Sequence, residues 1–175
     1  MKPAKILNIL IACEESQREC FEFRILGHRA FSCDIQQCRK NGYPGWHIHQ
    51  DVTALLNKGP YDFITQDGQS HHIEQWDLII AHPPCTYLCN VSTPHLISRK
   101  NPLQKTPPDK WVYDNKHKYW INLDRLKKQK QARDFFYQCL DAKAKYVAVE
   151  NPLPMKRAGL PNPTCYICPS WFGEK

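Results

Sequence analysis

The sequence of 175 residues contains no long hydrophobic run, no internal repeat and no low-complexity tract. Its apolar stretches fall well short of the roughly 18 consecutive residues that a transmembrane helix needs, and the mean hydropathy is −0.61. Hydrophobic residues still make up 42% of the chain and aromatic residues 11%. A chain of this length buries about 70% of its unfolded surface. We therefore expect residues 1–175 to form one soluble domain with no membrane partner.

Cysteine is too scarce for a disulfide scaffold. Nine cysteines in 175 residues fall below the roughly 8–10% that is typical of such proteins, and their odd number leaves at least one unpaired. We therefore expect a reducing compartment and a cytoplasmic location. Residues 6–12, which precede Cys13, superficially resemble a lipoprotein signal. This stretch is short and contains Asn8, so we interpret it as a buried first strand.

Apolar runs alternate with helical periodicity, which predicts an α/β protein with a mostly parallel, Rossmann-like sheet. The expected strands cover residues 6–12, 29–33, 46–50, 76–81 and 145–149, and the expected helices cover residues 15–26 and 121–140. Alternation around Asp67-Gly68 predicts a β-hairpin insertion within residues 58–75. Residues 99–120 are typical of a basic, aromatic loop insertion, and residues 153–175 of a proline-rich tail.

The positive charge of the chain is concentrated in one segment. The net charge is +7, and residues 99–133 hold 11 basic and three acidic residues, so the rest of the chain is close to neutral. Aromatic residues interleave with these lysines and arginines, a mixture that stacks bases and neutralises phosphates. We expect a nucleic acid or a nucleotide as the partner; a solvated lid and an ordinary charged helix face are the alternative. The expected substrate-binding residues here are Arg99, Lys100, Lys110, Trp111 and Tyr113.

The first strand-to-helix turn has none of the glycines that cradle a dinucleotide phosphate. It reads Cys13-Glu14-Glu15-Ser16-Gln17, and its carboxylates would repel a pyrophosphate. The turn favours a cofactor with a positive centre, such as S-adenosylmethionine. Asp34 follows the second expected strand, where an acidic side chain can accept both ribose hydroxyls of an adenosine-like cofactor. Asp34 and Asp51 are equally typical of a turn and of a helix cap.

Two motifs follow expected strands in the later part of the chain. They read Asp-Leu-Ile-Ile-Ala-His-Pro-Pro-Cys-Thr at residues 77–86 and Val-Ala-Val-Glu-Asn-Pro at residues 147–152. In both motifs and their order the sequence resembles the cytosine-C5 DNA methyltransferases, in which a Pro-Cys loop follows the fourth strand and Glu-Asn follows the fifth. Residues 9–17, 33–34 and 171–173 also look like small phage and bacterial proteins similar to these enzymes. This looser resemblance covers most of the chain.

The resemblance implies a reaction, a cofactor and a set of site residues. Cys85 is the expected thiolate that adds to carbon 6 of cytosine, Glu150 the group that protonates or hydrogen-bonds ring nitrogen 3, and Asn151 the residue that holds the loop. Pro84 and Thr86 flank the nucleophile and are expected to contact the substrate. The expected cofactor is S-adenosylmethionine, bound by Cys13, Glu14, Ser16, Asp34, Asp51 and Asp77.

Other interpretations of these residues stay open. Cysteine is among the most buried residue types, so Cys85 alone is also typical of an inert core thiol. The chain is shorter than full DNA methyltransferases and has no target-recognition domain, so we expect a partner protein to supply recognition, or a truncated or inactive copy that only binds nucleotide or nucleic acid. An amino-group methyltransferase is a further alternative. We expect no metal, although Cys165 and Cys168 have zinc-ligand spacing.

Overall fold

A computed structural model describes residues 5–101 and 110–168. In chain order the elements are β1 (Asn8–Ala12), α1 (Arg18–Ile25), β2 (Arg29–Asp34), β3 (His47–His49), β4 (Tyr61–Ile64), β5 (Ser70–Ile73), β6 (Leu78–Ala81), α2 (Thr93–Leu96), β7 (Ile97–Ser98), β8 (Trp111–Asp114), β9 (Tyr119–Asn122), α3 (Leu123–Leu140) and β10 (Tyr146–Val149). Short 3₁₀ turns cover Pro44–Trp46, Val52–Leu56, Asn90–Ser92 and Lys156–Ala158. None of the helices in these residues is long and apolar enough to cross a bilayer.

The central sheet confirms the predicted α/β class. Within the described residues it has five parallel strands in the order β3-β2-β1-β6-β10. Numbered as parallel strands along the chain, this order is 3-2-1-4-5, which is that of a Rossmann-like sheet. The order places β1 and β6 side by side at the point where the chain reverses its direction of winding, and ligands bind outside the carboxyl ends of such strands.

Both faces of the sheet are covered at β1 and β2, which explains the continuous apolar run of Ile9–Ala12 in β1. Ile9 and Ile11 of β1 pack with Cys20 of α1 on one face. Leu10 faces the other side, in a core with Cys139 of α3. The second face also holds an aromatic cluster around Trp76, which is fully buried and joined by Phe31, Tyr61 and Phe63.

The predicted hairpin is present as the antiparallel pair β4-β5. Its turn contains Gly68 with a φ of +88°, a conformation that glycine adopts without steric cost. The Thr65 hydroxyl donates to Asp67 Oδ1 at 2.7 Å, which braces the same turn. Tyr61, Phe63 and Ile73 of the hairpin join the core on the α3 face, so one face of the insertion is part of the hydrophobic core.

The expectation of a loop over residues 99–120 is wrong for residues 111–120, whereas residues 99–101 have no helix or strand. β8 and β9 form an antiparallel pair to which β7 adds, giving a three-stranded sheet in the order β7-β9-β8. The Asp114 carboxylate accepts the N–H groups of Lys116 and His117 and so closes the tight connection. The abundance of proline and lysine around this hairpin masks the short alternating pattern of its strands. Residues 102–109 lie outside the described residues.

The expected proline-rich tail is partly packed. Met155 and Ala158 are buried with Leu88, Leu96 and Phe136, and the short 3₁₀ turn Lys156–Ala158 connects them. Residues 159–168 continue along the molecule and are mostly exposed. Residues 169–175, which include the expected Trp-Phe-Gly motif, lie outside the described residues.

Candidate catalytic and cofactor site

The carboxyl ends of the five parallel strands bring most of the predicted site residues to one edge of the sheet. Ala81 of β6 pairs with Ala12 of β1 on one side and with Val149 of β10 on the other. The segments that carry Cys13, Cys85 and Glu150 therefore leave the sheet at the same level. Asp34 and Asp51 lie at the ends of β2 and β3 along the same edge.

Glu14 is the buried acid of this edge. The residue is only 6% exposed. Its Oε1 accepts hydrogen bonds from the Glu19 N–H at 2.9 Å and from the Ser16 hydroxyl at 3.3 Å. Oε2 is buried and has no hydrogen-bond partner. Burial raises the pKa of Glu14 above its ordinary value. An unpartnered buried acceptor suits a ligand that donates hydrogen bonds or carries positive charge.

The backbone of the first turn is held against β2. The N–H groups of Cys13 and Glu14 both donate to the Cys33 carbonyl, at 2.8 and 3.2 Å. Burial, with neighbouring Cys139, Asp34 and Asp51, raises the pKa of the Cys13 thiol to about 12. Cys13 is therefore a neutral thiol at physiological pH.

Asp34 and Asp51 make the local contacts of turn and cap residues. Asp34 Oδ1 accepts the Gln36 N–H at 2.8 Å, and Asp51 Oδ1 accepts the Thr53 N–H at 2.8 Å at the start of the 3₁₀ turn. The hydrogen bonds with Thr53 lower the pKa of Asp51. Both residues thus fulfil a structural role while adding negative charge to the same edge as Glu14.

Asp77 is wrong as a cofactor-binding residue. It precedes β6 and therefore lies at the amino ends of the strands, across the sheet from the other predicted residues. Its carboxylate accepts the Asn8 N–H at 3.0 Å and pairs with Lys5 Nζ at 2.7 Å. Asp77 thus fixes the start of β1 against the start of β6.

Cys85 lies in a tight turn that follows β6 and two prolines. Its carbonyl accepts the N–H groups of Leu88 and Cys89 at 2.8 and 3.0 Å. The residue is partly buried, whereas Pro84 and Thr86 on either side are exposed. Burial raises the pKa of Cys85, and Cys89 and the carboxylate of Glu150 add to the shift. Cys85 is therefore a thiol at neutral pH.

Glu150 and Asn151 follow β10 at the same edge. The Glu150 N–H donates to the Ala81 carbonyl at 2.9 Å, which continues the pairing of β10 with β6. The Glu150 side chain is 57% exposed. The Asn151 amide donates to the Pro152 carbonyl, whereas Asn151 Oδ1 is buried without a hydrogen-bond partner.

His82 is a charged neighbour of this site that the sequence interpretation missed. It follows β6 directly, and its ring lies between two carboxylates, with Nε2 3.1 Å from Glu19 Oε1 and Nδ1 3.8 Å from Glu150 Oε2. The hydrogen bond that His82 donates to Glu19, together with the charges of Glu19, Glu150 and Glu14, raises the pKa of His82, against an opposing effect of burial. Its position could have indicated a site residue, because it is a histidine at the end of an expected strand, directly before two prolines.

A cleft of about 1260 Å³ opens beside these groups. Glu19, His82, Glu150 and Asn151 form one wall, and aromatic residues of α1 and the segment 160–167 form the others. Its volume exceeds that of a nucleoside, and drug-sized ligands fill about 300–1,000 Å³. Of the predicted residues, Ser16, Glu150 and Asn151 line the cleft and Cys85 does not. The cleft thus reaches the Glu150 side of the site.

The predicted substrate-binding residues divide into exposed and buried groups. Arg99, Lys100 and Lys110 are exposed, and Lys110 lies 3.6 Å from Asp124. Tyr113 is 40% exposed and remains available for stacking. Trp111 is buried, so its prediction as a stacking residue is wrong, because β8 turns this side chain towards the inside of the protein.

The basic face of α3 lies near the turn that contains Cys85, and Tyr87 connects the two. The sequence interpretation did not select Tyr87. The Arg125 guanidinium lies 5.0 Å from the centre of the Tyr87 ring, and Lys128 Nζ lies 5.8 Å from it. Both distances fall within the range of cation–π contacts. Arg125 and Lys128 are therefore held against a ring that is only two residues from Cys85 in the sequence.

Within residues 5–101 and 110–168, no three histidine, cysteine or carboxylate side chains are grouped as metal ligands. Cys165 and Cys168, the pair with zinc-ligand spacing, are exposed in the tail. The chain matches no protein-family model, no curated protein and no solved structure.

Proposed function

We propose that this chain transfers a methyl group from S-adenosylmethionine to carbon 5 of cytosine, in DNA or in a cytosine nucleotide, with Cys85 as nucleophile and the Rossmann-like sheet as a methyltransferase scaffold. One observation carries the proposal. Cys85 and Glu150 follow adjacent, paired strands at the carboxyl edge of the sheet, where ligands bind in such folds. This arrangement would bring a nucleophile and a carboxyl group to one substrate.

The cofactor edge fits a cationic ligand. Glu14, Asp34 and Asp51 provide three carboxylates, and Glu14 Oε2 is buried with no donor. S-adenosylmethionine, when bound, supplies a methyl group on a positively charged sulfur. Glu14 and Ser16 would hold its methionine part, and Asp34 and Asp51 its ribose and adenine. These acids would attract the positive groups and repel a pyrophosphate, which explains the absence of a glycine-rich phosphate loop.

Cys85 would activate the pyrimidine by addition. The sulfur–carbon 6 bond forms as the carbon 5–carbon 6 double bond opens, and the electron pair is delocalised between carbon 5 and ring nitrogen 3. The thiol proton of Cys85 passes through solvent to ring nitrogen 3, and the Glu150 carboxylate would hold this new N–H by accepting its hydrogen bond. After carbon 5 is substituted, its own proton is released to solvent, the carbon 5–carbon 6 double bond re-forms, and the expelled thiolate of Cys85 takes back the proton from ring nitrogen 3. A bound base would also cover the exposed Glu150 carboxyl group.

The basic residues near the turn support an anionic substrate. Arg125 and Lys128 are held against Tyr87, and α3 carries further lysines on its exposed side. Lysine and arginine neutralise phosphates without reading the base, so they would position a nucleic acid and leave its sequence unread. We accordingly retain a partner protein as the source of sequence recognition.

A nucleotide-binding protein without turnover is the second candidate. The observations that favour it are that the large cleft is lined by Glu150 and Asn151 but not by Cys85, and that burial raises the pKa of Cys85. Such a protein would bind a cytosine nucleotide in the cleft and form no covalent bond with it.

Mechanism-based trapping tests the proposal. The protein is incubated with S-adenosylmethionine and either an oligonucleotide that contains 5-fluorocytosine or 5-fluoro-dCMP, and intact mass is measured. Fluorine at carbon 5 blocks the final elimination, so a covalent adduct is expected on Cys85. Cys85→Ser should abolish the adduct and Cys38→Ser, which changes another partly buried thiol, should retain it. An unmodified wild-type protein that binds S-adenosylmethionine would overturn the proposal, and methyl transfer retained in Cys85→Ala would indicate amino-group chemistry instead.

A further inference from the structure

We propose that His82 is a positioning residue that holds the Glu150 carboxylate at the rim of the cleft, and that Glu19 in turn holds His82. The role given to Glu150 rests on the function proposed above. The array itself, Glu19–His82–Glu150, is a property of the structure and is testable without any reaction.

The backbone fixes the imidazole between two elements. The His82 N–H donates to the Ala12 carbonyl at 2.9 Å, so the residue extends the β6–β1 pairing by one position. Its side chain then lies between Glu19, in the first turn of α1, and Glu150, directly after β10. His82 thus connects three structural elements at the carboxyl edge of the sheet.

The two contacts require different ring nitrogens. Nε2 is 3.1 Å from Glu19 Oε1, and Nδ1 is 3.8 Å from Glu150 Oε2. Carboxylates only accept hydrogen bonds, and a neutral imidazole has a single N–H. Only the imidazolium form can therefore point a donor at both acids. The longer contact to Glu150 is the one that a bound substrate can tighten.

The groups that face His82 favour its charged form. Glu19 comes from α1, Glu150 from the segment after β10 and Glu14 from the turn after β1, and all three raise the pKa of His82. Burial acts in the opposite direction. Without the positive ring, Glu19 and Glu150 would be two like charges on one wall of the cleft. The imidazolium compensates them and gives the exposed Glu150 side chain a fixed partner.

The array makes the position of Glu150 dependent on pH. When the pH rises through the pKa of His82, the ring loses one N–H and its charge, and Glu150 loses its anchor. Adduct formation at Cys85 is then expected to fall on the alkaline side of the His82 titration. His82→Gln retains at most one donor and no charge, and should slow adduct formation about tenfold at neutral pH, the equivalent of one charged hydrogen bond.

Histidine titration by NMR tests the array directly. Long-range ¹H–¹⁵N spectra report the protonation of each of the eight histidines, and the signal lost in His82→Gln assigns His82. We expect a pKa above 6.5 in the wild type, a lower value in Glu150→Gln and the lowest value in Glu19→Gln. Glu22→Gln, which changes an exposed acid one turn further along α1, is the matched control and should leave the titration unchanged. An unchanged His82 titration in Glu19→Gln or in Glu150→Gln would overturn the inference.

The pH profile of trapping separates this inference from the proposed function. Glu19→Gln should shift the alkaline fall of adduct formation to lower pH, by the same amount as it shifts the NMR titration, while Glu22→Gln follows the wild type. A wild-type adduct with an identical pH profile in Glu19→Gln would overturn the role of His82 and leave the function intact. A wild-type protein that forms no adduct, but in which both acid variants lower the His82 pKa, would retain the array and overturn the function.

Discussion

Replacement of Glu14 by glutamine is expected to stabilise the protein, although it removes a group from the centre of the proposed cofactor edge. The substitution keeps the shape of the side chain and the oxygen that accepts the Glu19 N–H. It removes the negative charge from a site where Oε2 is buried with no hydrogen-bond partner. Binding sites often retain such destabilising groups, because the ligand supplies the missing partner.

The expected gain comes from the loss of a buried charge, because the glutamine amide would also lack a partner at the position of Oε2. A buried polar group without a partner costs about 1–3 kcal/mol, and more when it is charged. Burial raises the pKa of Glu14 above 4.5 in the folded state, so ionisation opposes folding at every pH above that value. The stability of the wild type is thus highest relative to Glu14→Gln at low pH, and it falls as the pH rises through the raised pKa. We expect Glu14→Gln to be about 1–3 kcal/mol more stable at pH 8, with a smaller difference at pH 5.

Urea denaturation between pH 5 and pH 8, followed by circular dichroism, measures this difference. Glu15→Gln is the matched control, because Glu15 pairs with Arg39 at 2.9 Å and the Arg39 hydrogen bond lowers its pKa. The contribution of Glu15 is present at neutral pH and is lost as the pH falls through the lowered pKa. Glu15→Gln should therefore cost about 0.2–1 kcal/mol at pH 8. A Glu14→Gln variant that is no more stable than the wild type at pH 8 would contradict the destabilising effect of the Glu14 charge. A stability difference that does not increase between pH 5 and pH 8 would contradict it as well.

Three further outcomes are expected from other parts of the structure. Trp76→Ala should lower the free energy of unfolding by about 3–5 kcal/mol, measured by urea denaturation followed by circular dichroism, because the residue is fully buried. A decrease below about 1 kcal/mol would contradict its place in the core. Asn122→Ala should lower the free energy of unfolding by about 1 kcal/mol in the same assay, because the Asn122 side chain caps α3 by accepting the Arg125 N–H. An unchanged urea midpoint would contradict this cap. Replacing Arg125 and Lys128 together by alanine should weaken DNA binding in fluorescence anisotropy and reduce its salt dependence by about two phosphate contacts; an unchanged salt slope would place the nucleic acid elsewhere.

The sequence predicts the parallel sheet well because its strands are buried on both faces. Residues 9–12 and 78–81 are continuous apolar runs, and they lie in β1 and β6. The edge at which Cys13, Cys85 and Glu150 meet follows from strand order, since parallel strands end at a common edge. These features depend on the local hydrophobic pattern and on the order of strands and helices, and both can be predicted from the sequence.

The errors concern features that depend on partners distant in sequence. Asp77 and Asp51 both neighbour strands, and only the direction of the sheet shows that Asp77 lies at the opposite edge. Trp111 belongs to a short antiparallel sheet whose pattern is interrupted by charged residues. His82 and Glu19 are 63 positions apart in the sequence, and their contact depends on how α1 returns over β1. No local pattern predicts such a pair.

Backbone strain at the carboxyl edge is partly offset by local contacts. Cys13 and Gln17 have φ angles of 61° and 57°, a region that costs a non-glycine residue about 1–2 kcal/mol. The Gln17 amide donates to the Ser32 hydroxyl and the Tyr43 carbonyl, at 3.2 and 3.0 Å. The Cys13 N–H donates to the Cys33 carbonyl. These contacts give the strained turn a structural reason, so strain alone does not identify this edge as a binding site.

The unpartnered acceptors at the same edge have no such compensation. Glu14 Oε2, Glu19 Oε2 and Asn151 Oδ1 are all buried without a hydrogen-bond partner. The other such atoms in the described residues are the indole nitrogens of Trp76 and Trp111 and the hydroxyl of Thr93. Three acceptors at about 1–3 kcal/mol each approach the whole net stability of a typical domain, about 5–15 kcal/mol. Because a sequence adapted for stability alone would replace them, their grouping on either side of His82 argues for a ligand whose donors meet these oxygens when it binds.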